Sequence, residues 1–161
     1  MVAPPLTARR HTSTASRPLS NAASVNTIKR NDSSRAMAKI LRGLRGATTA
    51  AANTSEAILA ATAELLRALQ DANGFRPDEV ESAIFTSSPD LTAEYPARAA
   101  RLLGWTGVPL LGASEVAVPD GLPRCIRVLL HFYTTQAQRE LKHMYLREAA
   151  KLRPDRSPAD G

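Results

Sequence analysis

Residues 125 to 134, Cys-Ile-Arg-Val-Leu-Leu-His-Phe-Tyr-Thr, limit the fold more than any other stretch of the chain. The run is rich in β-branched, aromatic and aliphatic side chains, which suit a pleated, buried position, so it predicts a long strand, Cys125 to Thr134. Arg127 lies inside it. Taking a guanidinium out of water costs several kcal/mol unless an anion meets it. A sheet built around this strand must therefore supply the anion or receive it as a ligand.

The elements around that strand follow from local pattern. "AKILRGLRGATTA" predicts a strand carrying Ile40, Arg42 and Leu44, with Arg45 near its end and Gly46 and the threonines as the following turn. "NTSEAILAATAELLRALQDANG" predicts a helix: Asn53 as cap, Glu56 three residues on, and Asn73-Gly74 as the stop. Ile58, Leu59, Thr62, Leu65, Leu66 and Leu69 form its apolar stripe. A short strand is expected from Ser82 to Ser87 and a second helix from Pro96 to Leu103, with Arg98 and Arg101 sharing a face. Another short strand is expected near Val108 to Leu111, followed by the loop Gly112-Ala113-Ser114-Glu115-Val116. The segment after Gln138 reads as a helical turn, then either helix or strand around His143 to Leu146. The order predicts a mixed α/β (α+β) domain over residues 38–155, with a mobile tail at 156–161.

Charge separates this body from what precedes it. The whole chain carries +6, but residues 1 to 37 hold six Lys/Arg against one acid, Asp32, and leave the body almost neutral. The basic character belongs to the leader, which argues against a nucleic-acid surface. The leader is rich in Ser, Thr, Ala and Arg and lacks a sustained apolar run. That composition fits a transit peptide, with the plastid stroma expected ahead of the mitochondrion. A disordered extension on a cytoplasmic protein is the alternative reading. No apolar run approaches the roughly 18 residues of a membrane helix, so no membrane partner is expected.

Conventional catalytic signatures are missing. Cys125 is the sole cysteine, so neither an internal disulfide nor a cysteine-based zinc site is available. His11, His131 and His143 lack ligand spacing. "RGLRGAT" follows neither phosphate-loop pattern, and Ser87 and Ser88 have no nucleophile-elbow context. An enzyme of this sequence is expected to work without metal, cofactor or covalent nucleophile. What remains is a set of arginines, Arg45, Arg101 and Arg127, with Glu115 as the candidate internal partner. One carboxylate cannot satisfy three guanidiniums, and the excess suits a small ligand with more than one carboxylate or phosphate. An arginine in a strand also commonly faces solvent, and spacing does not show that the three converge.

Taken together, "LRGLRGATTA", "SSPDLTAEYPARAARLLGW", "VPLLGASEVAVPDGLPRCIRVLLHF" and "HMYLREAAKLRPD" resemble, in order and spacing, the AroH-class chorismate mutases over about Ile40 to Asp155. The resemblance implies a pseudo-α/β barrel homotrimer, with a mixed sheet packed by helices and active sites between subunits. It implies an isomerase that turns chorismate into prephenate for phenylalanine and tyrosine synthesis. On the matching motifs, Arg45 grips a substrate carboxylate and Arg127 stands beside the breaking ether oxygen. Glu115 accepts from the substrate hydroxyl, and Tyr145 helps hold the side-chain carboxylate. Tyr95, Arg98 and Arg101 line the site from a neighbouring subunit, Leu111, Gly112, Ala113 and Ser114 form a lining segment, and Leu152 is an apolar wall. Leu111-Gly112 departs from the Thr-Cys of many members, whose cysteine helps hold the substrate hydroxyl. Tyr95 and Arg98 replace a commoner phenylalanine and lysine. A non-catalytic trimeric module binding a small dicarboxylate is the alternative that this departure keeps open.

Overall fold

The computed structural model describes residues 38–154; the expected leader, 1–37, and tail, 156–161, lie outside them. Five strands form one mixed sheet: β1 (Ile40–Thr49), β2 (Val80–Ser87), β3 (Leu110–Ser114), β4 (Cys125–Thr134) and β5 (Met144–Tyr145). Their order is β3-β2-β4-β1-β5. The predicted long strand β4 lies at the centre, antiparallel to both β1 and β2, while β3 and β5 pair parallel to β2 and β1. Two helices accompany the sheet, α1 (Ser55–Asn73) and α2 (Ala97–Leu102). This is the expected α+β architecture. Among the described residues no helix is long and apolar enough to cross a membrane.

Strand alternation sorts the side chains onto two faces. One face carries Leu44, Phe85, Val128, Leu130 and Phe132, which join Leu65, Leu66 and Leu69 of α1 and Ala97 and Ala100 of α2 in the main core. Phe75 and Trp105 close that core with an edge-on ring contact, centroids 6.1 Å apart. The other face carries Arg45 and Ala47 of β1, Ile84 and Thr86 of β2, and Arg127 and Leu129 of β4. Only part of it is covered from within the chain. A 3-10 helix, Arg147–Leu152, brings Ala149 against Ala47 and Tyr145, with Leu122 and Leu152 at the margin. Elsewhere Leu41, Leu111 and Tyr133 remain exposed.

Three local expectations need correction, and one open choice is decided. β1 does not stop at Gly46: it runs on through Thr49, paired to Cys125. Glycine is needed there because a Cβ would stand 2.8 Å from Leu69 Cδ1 and 3.0 Å from Leu65 Cδ1; it permits helix contact and does not mark a turn. The cap of α1 is Thr54, whose hydroxyl accepts from the Ala57 amide at 3.2 Å. Asn53 instead accepts from the Thr92 and Ala93 amides, tying the helix entrance to the loop before α2. β3 begins at Leu110, not Val108, and runs through Ser114, so most of the expected loop is edge strand. The ambiguous last segment resolves into the two-residue β5 followed by the 3-10 helix. Gly74 stops α1 as expected, in the left-handed conformation at φ 66°.

Candidate active site

Arg127 owes its position to two neighbouring strands. It stands opposite Ala47 on β1 and Thr86 on β2, so its guanidinium rises from the partly open sheet face between two small side chains. Arg45 is opposite Leu129, one diagonal step away on the same face. Diagonal neighbours in an antiparallel ladder lie about 7–8 Å apart, within reach of one small ligand. Arg45, Arg127, Thr86, Tyr145, Leu152 and Arg153 line a common cleft of about 440 Å³. Four predicted site residues therefore meet in one place.

The internal anion that Arg127 meets is Glu115. The Glu115 amide donates to the Ser87 carbonyl at 2.9 Å, extending the β2–β3 ladder by one residue and placing the carboxylate over the sheet. Arg127 Nη1 donates to Glu115 Oε2, and the Thr86 hydroxyl donates to Oε1 at 2.5 Å. Burial opposes the charge of Arg127, but the Glu115 carboxylate outweighs it and holds the guanidinium pKa above its ordinary value. The guanidinium keeps 37% side-chain exposure, so the ion pair leaves it a free face toward the cleft. Arg45 brings a second cation to the same rim, and among the described residues no carboxylate lines that cleft; Glu115 borders an adjoining one that shares Arg127. Of the three arginines expected from the sequence, Arg45 and Arg127 meet here, joined by Arg153, while Arg101 lies in another cleft.

The start of β4 is fixed by a compact network. Asp90 accepts from the Ser88 hydroxyl at 2.6 Å and from the Arg124 amide at 2.8 Å, and the Ser88 hydroxyl accepts from the Cys125 amide at 2.8 Å. Arg124 takes φ 52°, unusual for a non-glycine residue, and its guanidinium donates to the Ala51 carbonyl. Cys125 is fully buried, and burial pushes its thiol up to about 11, so it is an inert packing group. His131, two residues along the face from Leu129, shares a 3.1 Å hydrogen bond with Ser82 and is held in a structural role.

The remaining predicted residues stand elsewhere. Tyr95, Arg101, Gly112, Ala113 and Ser114 line a second cleft of about 690 Å³ between the α2 entrance and β3. Tyr95 is 78% exposed. Arg98 is exposed and pairs with Glu94 rather than lining either cleft. Leu111 points to the open sheet face beside Ile84. At Gly112 an added Cβ would meet nothing within 4 Å, so the glycine is not required there by crowding. The chain thus carries two partial sites: one with Arg45, Arg127 and Tyr145, which Glu115 joins through its ion pair with Arg127 from an adjoining cleft, the other with Tyr95 and Arg101. Sequence reasoning missed Thr86 and Arg153 in the first. Arg153 lies next to Leu152 in the same "LRPD" motif, and its charge was the available signal; a lone strand threonine gives none.

Comparison with known proteins agrees with this geometry. A family described as "Chorismate mutase type I" matches residues 41–156. A chorismate mutase AroH of Thermus thermophilus is 50% identical over 117 residues, covering 72% of this chain and 96% of the relative. One from Bacillus subtilis strain 168 is 40% identical over 119 residues, covering 73% and 94%. Among solved structures, a chorismate mutase from Clostridium thermocellum superposes with TM-score 0.67 at 42% identity, covering 68% of this chain and 97% of the other. The match spans the sheet, both helices and both clefts, and on it the chain belongs to the type I chorismate mutases.

Proposed function

We propose that this chain catalyses the Claisen rearrangement of chorismate to prephenate, in clefts that are completed between the subunits of a homotrimer. The observation that carries the reading is the placement of Arg45 and Arg127 on one sheet face at a single small cleft, with more positive charge than Glu115 can balance. Chorismate brings two carboxylates. Arg45 and Tyr145 engage carboxylate oxygens, and Leu152 closes the apolar side. Glu115 accepts from the ring hydroxyl. Tyr95 and Arg101 of a neighbouring copy supply the opposite wall, which explains why a single chain holds them away from Arg127. The exposed sheet face bearing Leu41, Leu111 and Tyr133 supports the association.

The chemistry needs little else. The rearrangement is intramolecular: one C–O bond breaks as one C–C bond forms, with no external electron or proton balance. Confining the substrate to its compact conformer lowers the entropic part of the barrier. As the C–O bond lengthens, negative charge grows on the ether oxygen. A guanidinium fixed there interacts more strongly with the transition state than with the substrate, which is the condition for raising kcat. Loss of such a donor costs about 2.7–4 kcal/mol of barrier, roughly 100- to 1,000-fold. Arg127 holds that position in our reading.

The test is the disappearance of chorismate with purified protein, beside Arg127→Ala. Wild-type turnover with a loss of at least 100-fold in kcat in the folded variant supports the assignment. Near-normal turnover by Arg127→Ala rejects the role of Arg127. Tight calorimetric binding of a transition-state analogue by a wild type that does not turn over would transfer the protein to the class of non-catalytic dicarboxylate-binding modules. Import of the basic leader into plastids is a separate proposal resting on composition, checked by the N-terminal sequence of the native protein.

A further inference from the structure

We infer that Thr86 is a positioning residue for the reaction, acting through Glu115; the inference rests on the mutase reading of this cleft. Glu115 lies one residue beyond the end of an edge strand, and the residues after it, 116 to 121, are exposed. A side chain with three rotatable bonds at such a place, though largely covered at 19% exposure, still needs the direction of its carboxylate chosen. Two contacts choose it: Arg127 on Oε2 and the Thr86 hydroxyl on Oε1.

These contacts differ in what the reaction asks of them. Arg127 has to serve the substrate's ether oxygen, so its hold on Glu115 is shared once the cleft fills. Thr86 has no competing task. It sits one residue from the end of β2 but paired on both sides, with Arg127 opposite on one and Ala113 on the other, and its β-branched side chain is stiff at χ1. Its hydroxyl has one proton, already given to the carboxylate at 2.5 Å, the short separation of a charge-assisted O–H···O⁻ bond. Thr86 thus fixes Oε1 from one side, while Glu115 itself borders an adjoining cleft of about 450 Å³; Arg127 lines both that cleft and the one Thr86 lines, so the remaining lone pairs of Glu115 stay beside the guanidinium.

The experiment compares kcat and KM for wild type, Thr86→Val, Thr86→Ser and Glu115→Gln, together with the double variant Thr86→Val/Glu115→Gln. Valine keeps the shape and removes the donor. We expect kcat of Thr86→Val to fall on the order of tenfold with a smaller change in KM, and serine to restore most of it. In the Glu115→Gln background, Thr86→Val should cost nothing further, because the group it positions has lost its charge. A full tenfold loss repeated in that background, or an unchanged kcat in Thr86→Val, overturns the inference while leaving an active wild type and its mutase function in place. Loss of the folded far-UV signal in Thr86→Val but not in Thr86→Ser reassigns the hydroxyl to the fold and also overturns it. A wild type that leaves chorismate untouched overturns the functional reading and this one with it.

Discussion

Arg127 is held in a useful position by residues with no claim to touch substrate. The strand carrying it begins where Asp90 grips the Arg124 amide and the Ser88 hydroxyl, and Arg124 accepts an unfavourable φ to make the connection. The Ser88 hydroxyl, foremost, holds the Asp90 carboxyl below its ordinary value; burial works against this, and the Arg124 amide adds to it. The folded pKa is thus lower than the unfolded one. The stabilisation is complete above the unfolded value of about 3.9 and is lost as pH falls through the folded value. Asp90→Asn should be less stable than wild type at pH 7, and the gap should narrow as pH falls from about 5. Urea titrations at a series of pH values measure it; parallel acid limbs would show that the carboxylate charge contributes nothing.

Much of the secondary structure was legible because its signals are local. Ile58, Leu65, Leu66 and Leu69 of the α1 stripe are buried as the pattern predicts, and β4 forms over the full expected range with Ile126, Val128, Leu130 and Phe132 buried on its core face. β1 was misjudged because Gly46 and the two threonines after it resemble a turn in one dimension. In the folded chain Thr48 and Thr49 are buried and Gly46 is the point where α1 comes nearest the sheet. Leu65 and Leu69 are fully buried and have little room to swing away. Gly46→Ala is therefore expected to destabilise the protein by about 1–3 kcal/mol through overpacking, read as a lower urea midpoint. The same displacement would tilt β1 beside Arg45, so kcat/KM should fall with it. The capping error has the same origin: Asn53 and Thr54 are adjacent, both suit an N-cap, and only the partner loop at Thr92 and Ala93 decides which is used.

At the scale of the whole molecule, the family resemblance assigned Tyr95, Arg98 and Arg101 to a neighbouring subunit's side of the site, a division that spacing alone did not give. Spacing along a chain does not distinguish residues that meet within one subunit from those that meet across a boundary. The fold sorts them, with Arg45, Arg127 and Tyr145 in one cleft and Tyr95 and Arg101 in another. If neighbouring copies join the two, Arg127→Ala and Arg101→Ala chains should each be nearly inactive alone. Co-assembled in equal amounts, they should regain about a quarter of wild-type turnover, because in a closed ring one site in four draws both intact halves. Mixtures as inactive as their parents would confine the site to a single chain.

The lone thiol of the molecule is sealed at the first residue of the strand that carries Arg127, two positions from it and bonded through its own amide to the network that anchors the strand. While the strand stays seated the sulfur is silent toward electrophiles, so its labelling would report displacement of the strand that carries Arg127.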